Sequence, residues 1–392
     1  MSAKVPLSGL PLLLHKLRDG GLLWLAARVR DEVRMPRTAA GQAVFRTVRG
    51  IGRSLGGSRR RTEANAPADI LYAFYDLGVA PVTYDFLWFL AGAELERERL
   101  GLASIHAVIV PGPHHGLRKE NDEVEKLIDP ATRRARIGTV LVPACALLPS
   151  VSGVTVASSR AEAGLLAGLA GGAVFPARYE PVVPSYPGPK EALRLAREEE
   201  RQVAVLRATA TDLQAVDEWL AAHGCGGEVI TITLRGYDYV PARNSNVAAW
   251  AVFARGLDPA RFSVVIVPDT AQTFDGVPTE FEGLPVFPEA AVAVGLRMAL
   301  YERAYLNLGV NNGPMGLCWL NQRTRYITFK ILSEAAAQTT PEYMEFLGFE
   351  IGQSLPFATP CQRWVWEEDT LEIIESAVAE MMPRLEAKEA RF

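Results

Sequence analysis

The sequence predicts an α/β protein with two parallel sheets, and three observations carry that expectation. Short apolar runs such as Asp69 to Phe74, His106 to Pro111, Glu228 to Leu234 and Phe262 to Val267 alternate with segments of helical periodicity. Strands of this kind are buried on both faces, which calls for helices above and below a parallel sheet. The alternation occurs twice, and prolines together with Gly188 crowd the stretch from Phe175 to Lys190 between the two series. A chain of 392 residues has room for two domains of about 100 to 200 residues each. The expected architecture is therefore two Rossmann-like domains facing one another across a cleft, with a basic helical N-terminal arm. Its boundaries are the arm at 1–66, a first domain at 67–180, a linker at 181–190 and a second domain at 191–392.

The elements follow in order. After the strand at Asp69, Tyr84 to Arg99 reads as a helix, and Thr139 to Val142 and Val154 to Ala157 read as further strands. Ser158 and Ser159 offer hydroxyl oxygens to cap the helix that begins near Ala161. Beyond the linker, Glu191 to Arg207 and Thr211 to His223 read as helices. Asn244 to Arg255 and Pro288 to Glu302 are helices that alternate with strands at Phe262 to Val267, Tyr305 to Leu308 and Tyr326 to Phe329. Trp364 and Trp366 alternate around Val365 as in a packed strand, and Leu371, Ile374, Ala377 and Met381 give Thr370 to Met381 one apolar face.

Apolar residues make up 49% of the chain and charged ones 22%, which excludes wholesale disorder and fibrous repeats. The charge is unevenly placed. Residues 1–61 hold 13 Lys and Arg against 3 Asp and Glu, and residues 62–392 hold 28 against 42, so a head of +10 joins a body of −14. Val44, Val48, Ile51 and Leu55 recur at helical steps, with Arg46, Arg49 and Arg53 on the opposite side. Anionic lipid attracts such a segment by about 1 kcal/mol per basic residue. The expected partner of residues 1–61 is an anionic membrane surface, with a solvated arm or one docking on the acidic body as an equal alternative, and nucleic acid is not expected beside an acidic body. No run reaches the ~18 uncharged apolar residues of a bilayer span, and Lys16, Arg18 and Asp19 interrupt the apolar patches at the start, so neither a span nor a secretory signal is expected. Cys145, Cys225, Cys318 and Cys361 stand singly, which fits a reduced, cytoplasmic protein; the arm would make it peripheral on the inner membrane.

Several chemistries are missing from the sequence. It has no G-x-x-x-x-G-K-[ST] phosphate loop, no G-x-S-x-G elbow, no H-E-x-x-H pair and no Asp-x-Asp metal clamp. Gly50, Gly52 and Gly56 have the wrong spacing for a dinucleotide fingerprint. What remains lies at the carboxyl ends of the second domain's strands, where open α/β sheets bind ligands. Arg235 closes the strand from Glu228, and Arg243 follows in the loop behind it. Asp269 follows the strand from Phe262. Asn311, Asn312, Gly313 and Pro314 form a turn feeding a helix, with backbone N–H groups to offer an anion. A guanidinium here can hold phosphate oxygens without a metal, although Arg235 as a surface ion-pair partner and Asn311 to Pro314 as a plain tight turn stay open. In the first domain His114 and His115 occupy the loop after the second strand. A histidine there can take a proton from a hydroxyl, with Asp76, Asp85 and Glu120 as carboxylate alternatives.

With Ile232-Thr233-Leu234-Arg235 and the Asn311 to Leu317 segment in place, the chain resembles GT-B glycosyltransferases, the two-Rossmann-domain, metal-independent type. It is most similar to bacterial inverting enzymes of surface-polysaccharide assembly, and more loosely to the fucosyltransferase and O-fucosyltransferase group. The resemblance covers residues 69–380 in layout and 228–330 in motif. It implies that Arg235 holds the donor diphosphate, that the Asn311 to Leu317 segment borders the nucleotide, and that a nucleotide-diphosphate sugar is the donor, with no cofactor and no metal. A glycan or a lipid-linked acceptor would complete the reaction, in direct displacement. The fuller histidine-containing arginine motif of that group is not present before Arg235. Rivals on the same scaffold are a nucleotide-sugar epimerase, a pyruvyl transferase, and a non-catalytic protein bound to the membrane surface.

Overall fold

The computed structural model describes residues 69–387 except 121, 274, 275, 277, 334 and 336–338, so the expected basic arm at 1–66 lies outside the described residues. The first sheet contains β1 (Ile70–Asp76), β2 (Ser104–Val110), β3 (Val151–Val156) and β4 (Val174–Phe175), in the order β3-β2-β1-β4 with every pair parallel. The second contains β5 (Glu228–Thr233), β6 (Phe262–Val267), β7 (Leu306–Val310), β8 (Tyr326–Phe329) and β9 (Gln362–Trp364), in the order β6-β5-β7-β8-β9, again all parallel. Both are doubly wound, Rossmann-like sheets. In the second, the chain steps from β5 outward to β6 and then returns to β7 on the other side. A crevice therefore opens beyond the carboxyl ends of β5 and β7, where connections diverge to opposite faces.

Helix α1 (Phe86–Leu100) explains how the two sheets are joined. Nine of its residues between Phe86 and Leu95 are buried, and a helix apolar nearly all round must be covered on every side. Phe89 meets Tyr75 and Phe175 of the first sheet, while Trp88 meets Phe349 and Phe357. Leu87 and Leu90 belong to one buried cluster with Leu193, Met298, Tyr301, Met315 and Cys318. The domains share this apolar core rather than touching at a rim. Opening them widely would expose it, at about 25 cal/mol per Å². Gly101 ends α1 in the left-handed region at φ 67°, its N–H meeting the Arg97 and Glu98 carbonyls.

Three expectations are corrected. Thr139 to Val142 is not a strand. Asp129 caps α2 (Pro130–Arg136) by accepting from the Ala131 and Thr132 N–H groups, and the chain continues helically through Ile137–Leu141 and Val142–Cys145. Arg133, Leu141, Ala144, Cys145 and Leu148 are buried at helical rather than alternate spacing, and this overrides the strand preference of a Thr-Val-Leu-Val run. The helix α4 from Lys190 ends at Glu198, not at Arg207; here α3 is Arg160–Leu169 and α4 is Lys190–Glu198. Glu200 adopts φ 51°, and the extended residues behind it bury Val203, Ala204 and Leu206, the last donating its N–H to Leu320. Finally, Pro288 to Glu302 divides at Ala293 into Pro288–Val292 and Val294–Arg303, because Ala293 is extended. Elsewhere Ser159 caps α3 by accepting from the Glu162 N–H. Among the described residues no helix is long and apolar enough to cross a membrane.

Candidate functional site

The loop after β5 is closed by its own ends. Arg235 N–H donates to Ser245 Oγ at 2.9 Å, and Ser245 N–H returns to the Arg235 carbonyl at 2.9 Å. Inside this clasp the Arg235 guanidinium donates to the carbonyls of Val240 (3.2 Å) and Tyr239 (2.6 Å) and to Asn244 Oδ1. Val240 sits at φ 55°, a costly conformation for a β-branched residue, and these bonds hold it there. Arg235 is only 7% exposed. Three of its hydrogen bonds shape the loop.

Arg243 leaves the same loop and donates from Nη2 to the Asn311 carbonyl at 3.0 Å. Burial, then the like charge of Arg235, lowers its pKa to about 10, so it remains a cation at neutral pH. No carboxylate among the described residues lies within ion-pair distance of it. Asn311 is fixed by its N–H to Phe329 (2.8 Å) and its Nδ2 to Ile331 (2.8 Å). Asn312 Oδ1 accepts from Met315 N–H at 3.1 Å and starts the single turn Gly313–Met315 containing Pro314. From the β6 end, Asp269 Oδ2 accepts from Gly236 N–H at 3.2 Å, and a Cβ at Gly236 would collide with the Gln272 side chain. The loops at the ends of β5, β6 and β7 are thus hydrogen-bonded to one another at the switch point.

The first domain reaches this crevice through Tyr84, whose ring lies against Gly313: a Cβ there would stand 3.1 Å from Tyr84 Cδ2. Burial raises the Tyr84 pKa, opposed by the charges of Arg297 and Arg136. Arg297, 1% exposed, donates from Nε to the Ala290 carbonyl at 2.6 Å, and its Nη2 has no partner among the described residues.

Asp76 is fully engaged. Its carboxylate accepts from Arg160 Nη1 (2.8 Å) and Nη2 (2.9 Å), from the Tyr179 hydroxyl (2.7 Å) and from Gly78 N–H (2.8 Å). Glu120 is paired with Arg118 at 2.6 Å and approaches Arg133 at 3.6 Å. His114 and His115 are exposed and line a cavity of about 190 Å³ with Lys119, Glu125, Pro130 and Arg133.

Sequence reasoning missed Tyr84, Arg297, Lys330 and Asp369. Lys330 donates to the Asn244 carbonyl at 3.3 Å and pairs with Glu368 at 2.6 Å. Asp369 accepts from Asn246 N–H (2.7 Å) and Trp250 Nε1 (2.8 Å), which seats the helix Val247–Gly256 behind the Arg243 loop. A lysine directly after the apolar run Tyr326 to Phe329 was the available signal for the first.

No family model and no curated protein matches the sequence. Similar solved structures include glycosyltransferases of low identity. A glycosyl transferase family 9 protein from Veillonella parvula is 12% identical, with 82% of this chain and 100% of that one covered and a TM-score of 0.49. The E. coli ADP-heptose lps heptosyltransferase II is 10% identical over 81% and 98%, at 0.43. The fucosyltransferase NodZ from Bradyrhizobium is 16% identical over 66% and 95%, at 0.31.

Proposed function

We propose that this chain is a metal-independent glycosyltransferase that moves a sugar from a nucleotide-diphosphate donor to a glycan or lipid-linked acceptor of the cell envelope. The observation that supports it most is Arg243, a cation at the switch point of a doubly wound sheet, anchored on the Asn311 carbonyl and without a carboxylate partner among the described residues. The donor diphosphate lies across the ends of β5 and β7. Negative charge grows on it as the bond to the anomeric carbon breaks, and a fixed guanidinium stabilises that charge more than the ground state. Arg235 acts through the loop: it holds the backbone that presents Arg243.

The acceptor hydroxyl approaches from the first domain. Its oxygen bonds the anomeric carbon as the nucleoside diphosphate departs, and its proton passes to an imidazole of His114 or His115. Asp76 and Glu120 are already engaged in ion pairs with Arg160 and Arg118. The shared apolar core keeps the two sheets aligned, so placement depends on loops more than on wide opening. Residues 1–61 would lay the protein on an anionic membrane face, beside a lipid-linked acceptor.

The test is a melting-temperature screen against GDP, UDP, dTDP, ADP and CMP. A ligand at a hundred times its Kd stabilises by about 2.7 kcal/mol. One nucleotide raising Tm, followed by transfer from its sugar conjugate, is the expected result. No shift with any of them removes the donor site.

A further inference from the structure

We propose that the cavity beyond β2, lined by His114, His115, Lys119, Glu125, Pro130 and Arg133, binds a phosphate group carried by the acceptor. As an acceptor subsite it rests on the transfer reading above; as a phosphate site it stands without it. At about 190 Å³ the cavity is below the ~300 Å³ at which pockets for whole small-molecule ligands begin. It has the size for one oxyanion, not for a nucleotide sugar. Two imidazoles, an ammonium and a guanidinium line it together with the Glu125 carboxylate, and all four nitrogen groups can donate hydrogen bonds.

Arg133 forms the buried floor at 6% exposure. It donates from Nη2 to the Arg118 carbonyl at 2.8 Å, but its carboxylate neighbours stand off, Glu120 at 3.6 Å and Glu125 at 3.8 Å. Both carboxylates stand beyond hydrogen-bond range, so neither occupies the guanidinium's donors. A tetrahedral oxyanion has several acceptor oxygens and suits donors arriving from different directions, with charge-assisted bonds to each.

The backbone that carries the histidines is set in advance. His114 N–H and Leu117 N–H exchange bonds with the opposite carbonyls at 2.9 and 2.8 Å, and His115 (φ 53°) and Gly116 (φ 85°) form the tight turn between them. Arg134 Nη1 adds a bond to the His115 carbonyl at 3.3 Å. Such a loop loses little entropy when it takes an anion.

The experiment is calorimetric titration of the full chain with sodium phosphate against sodium chloride of equal ionic strength, for the wild type, Lys119→Met and Glu125→Gln. The glutamine keeps an acceptor for the Glu120 N–H, which now meets Glu125 Oε1 at 3.2 Å. Phosphate should bind the wild type, about five-fold more weakly to Lys119→Met and about five-fold more tightly to Glu125→Gln, the effect of one charge at close range in a solvated pocket. Flotation with phosphatidylcholine vesicles, with and without phosphatidic acid, then separates the sources. A smaller phosphatidic-acid-dependent fraction for Lys119→Met supports a lipid phosphate, and an unchanged fraction with weakened phosphate binding supports a soluble phosphate ester. No phosphate binding beyond chloride, or equal affinity in all three proteins, overturns the proposal. Nucleotide-induced stabilisation on the same samples reports separately on the donor site.

Discussion

Arg243 Nη2 donates to the main-chain carbonyl of Asn311 at 3.0 Å, a bond between the loop after β5 and the loop after β7. These are the strands at which the second sheet's order reverses. The bond therefore ties together the two loops at the switch point. Replacing Arg243 by alanine should weaken nucleotide binding about ten- to a hundred-fold, the range of a charged hydrogen bond worth ~1.5 to 3 kcal/mol. Calorimetry against the nucleotide selected by the melting screen measures it. Because burial lowers the Arg243 pKa to about 10, binding should also fall as pH rises through that value, when the cation is lost. An alanine variant with wild-type affinity contradicts the role.

Arg235 should behave differently. Its guanidinium satisfies the Tyr239 and Val240 carbonyls and Asn244 Oδ1 within its own loop. Arg235→Ala strands these acceptors, at a cost of about 1 to 3 kcal/mol, and frees Val240 from its left-handed conformation. We expect a lower Tm and faster proteolysis between residues 236 and 244, with donor KM rising in parallel. Arg235→Lys should not restore the loop, since one ammonium cannot reproduce the planar fork. Loss of binding with an unaltered Tm and protease pattern would instead mean direct contact with the donor.

How much of this was legible from the chain can be traced to particular residues. The runs Phe262 to Val267 and Tyr326 to Phe329 are strands at those same limits, because a fully buried parallel strand leaves an unbroken apolar signature. The two-residue β4 is too short to leave one and exists through its neighbour, Val174 beside Tyr72, whereas β9 showed itself through the Trp364 and Trp366 alternation, shifted by two residues to Gln362–Trp364. Thr139 to Val142 has the composition of a strand and the burial of a helix. Arg235, at a strand end, reads alike whether its donors meet a ligand or its own loop, and only coordinates separate the two. Tyr84 left no local signal. Its importance lies in Gly313, far along the chain and in the other domain.

Tyr84 and Gly313 carry a prediction of their own. A methyl at residue 313 would sit 3.1 Å from Tyr84 Cδ2 and 3.2 Å from Tyr84 Cβ, closer than side chains pack. Gly313→Ala should destabilise by about 1 to 2 kcal/mol through this contact. Tyr84→Ala in the same chain should recover part of the loss, giving a favourable coupling in a double-mutant cycle read by urea unfolding. Strictly additive effects would mean that the two loops do not meet.

Asp76 was a candidate base from its place after the first strand, and its surroundings give it another task. It is 1% exposed and bound by both terminal nitrogens of Arg160, by the Tyr179 hydroxyl and by Gly78 N–H. Burial, then the Asp76 charge, raises the Tyr179 pKa, so that hydroxyl stays protonated and donates. Asp76→Asn removes the charge that compensates Arg160. Breaking a buried pair costs about 3 to 5 kcal/mol, and the lower end applies because the Arg160 side chain is 29% exposed. The variant should therefore lose stability by about 3 kcal/mol, while the pH profile of kcat in whatever protein remains folded keeps its shape. A base would show the reverse: an unchanged unfolding curve, and a kcat that collapses across all pH. Arg160→Met with Asp76→Asn supplies the control, since removing both charges should cost less than the sum of the single changes.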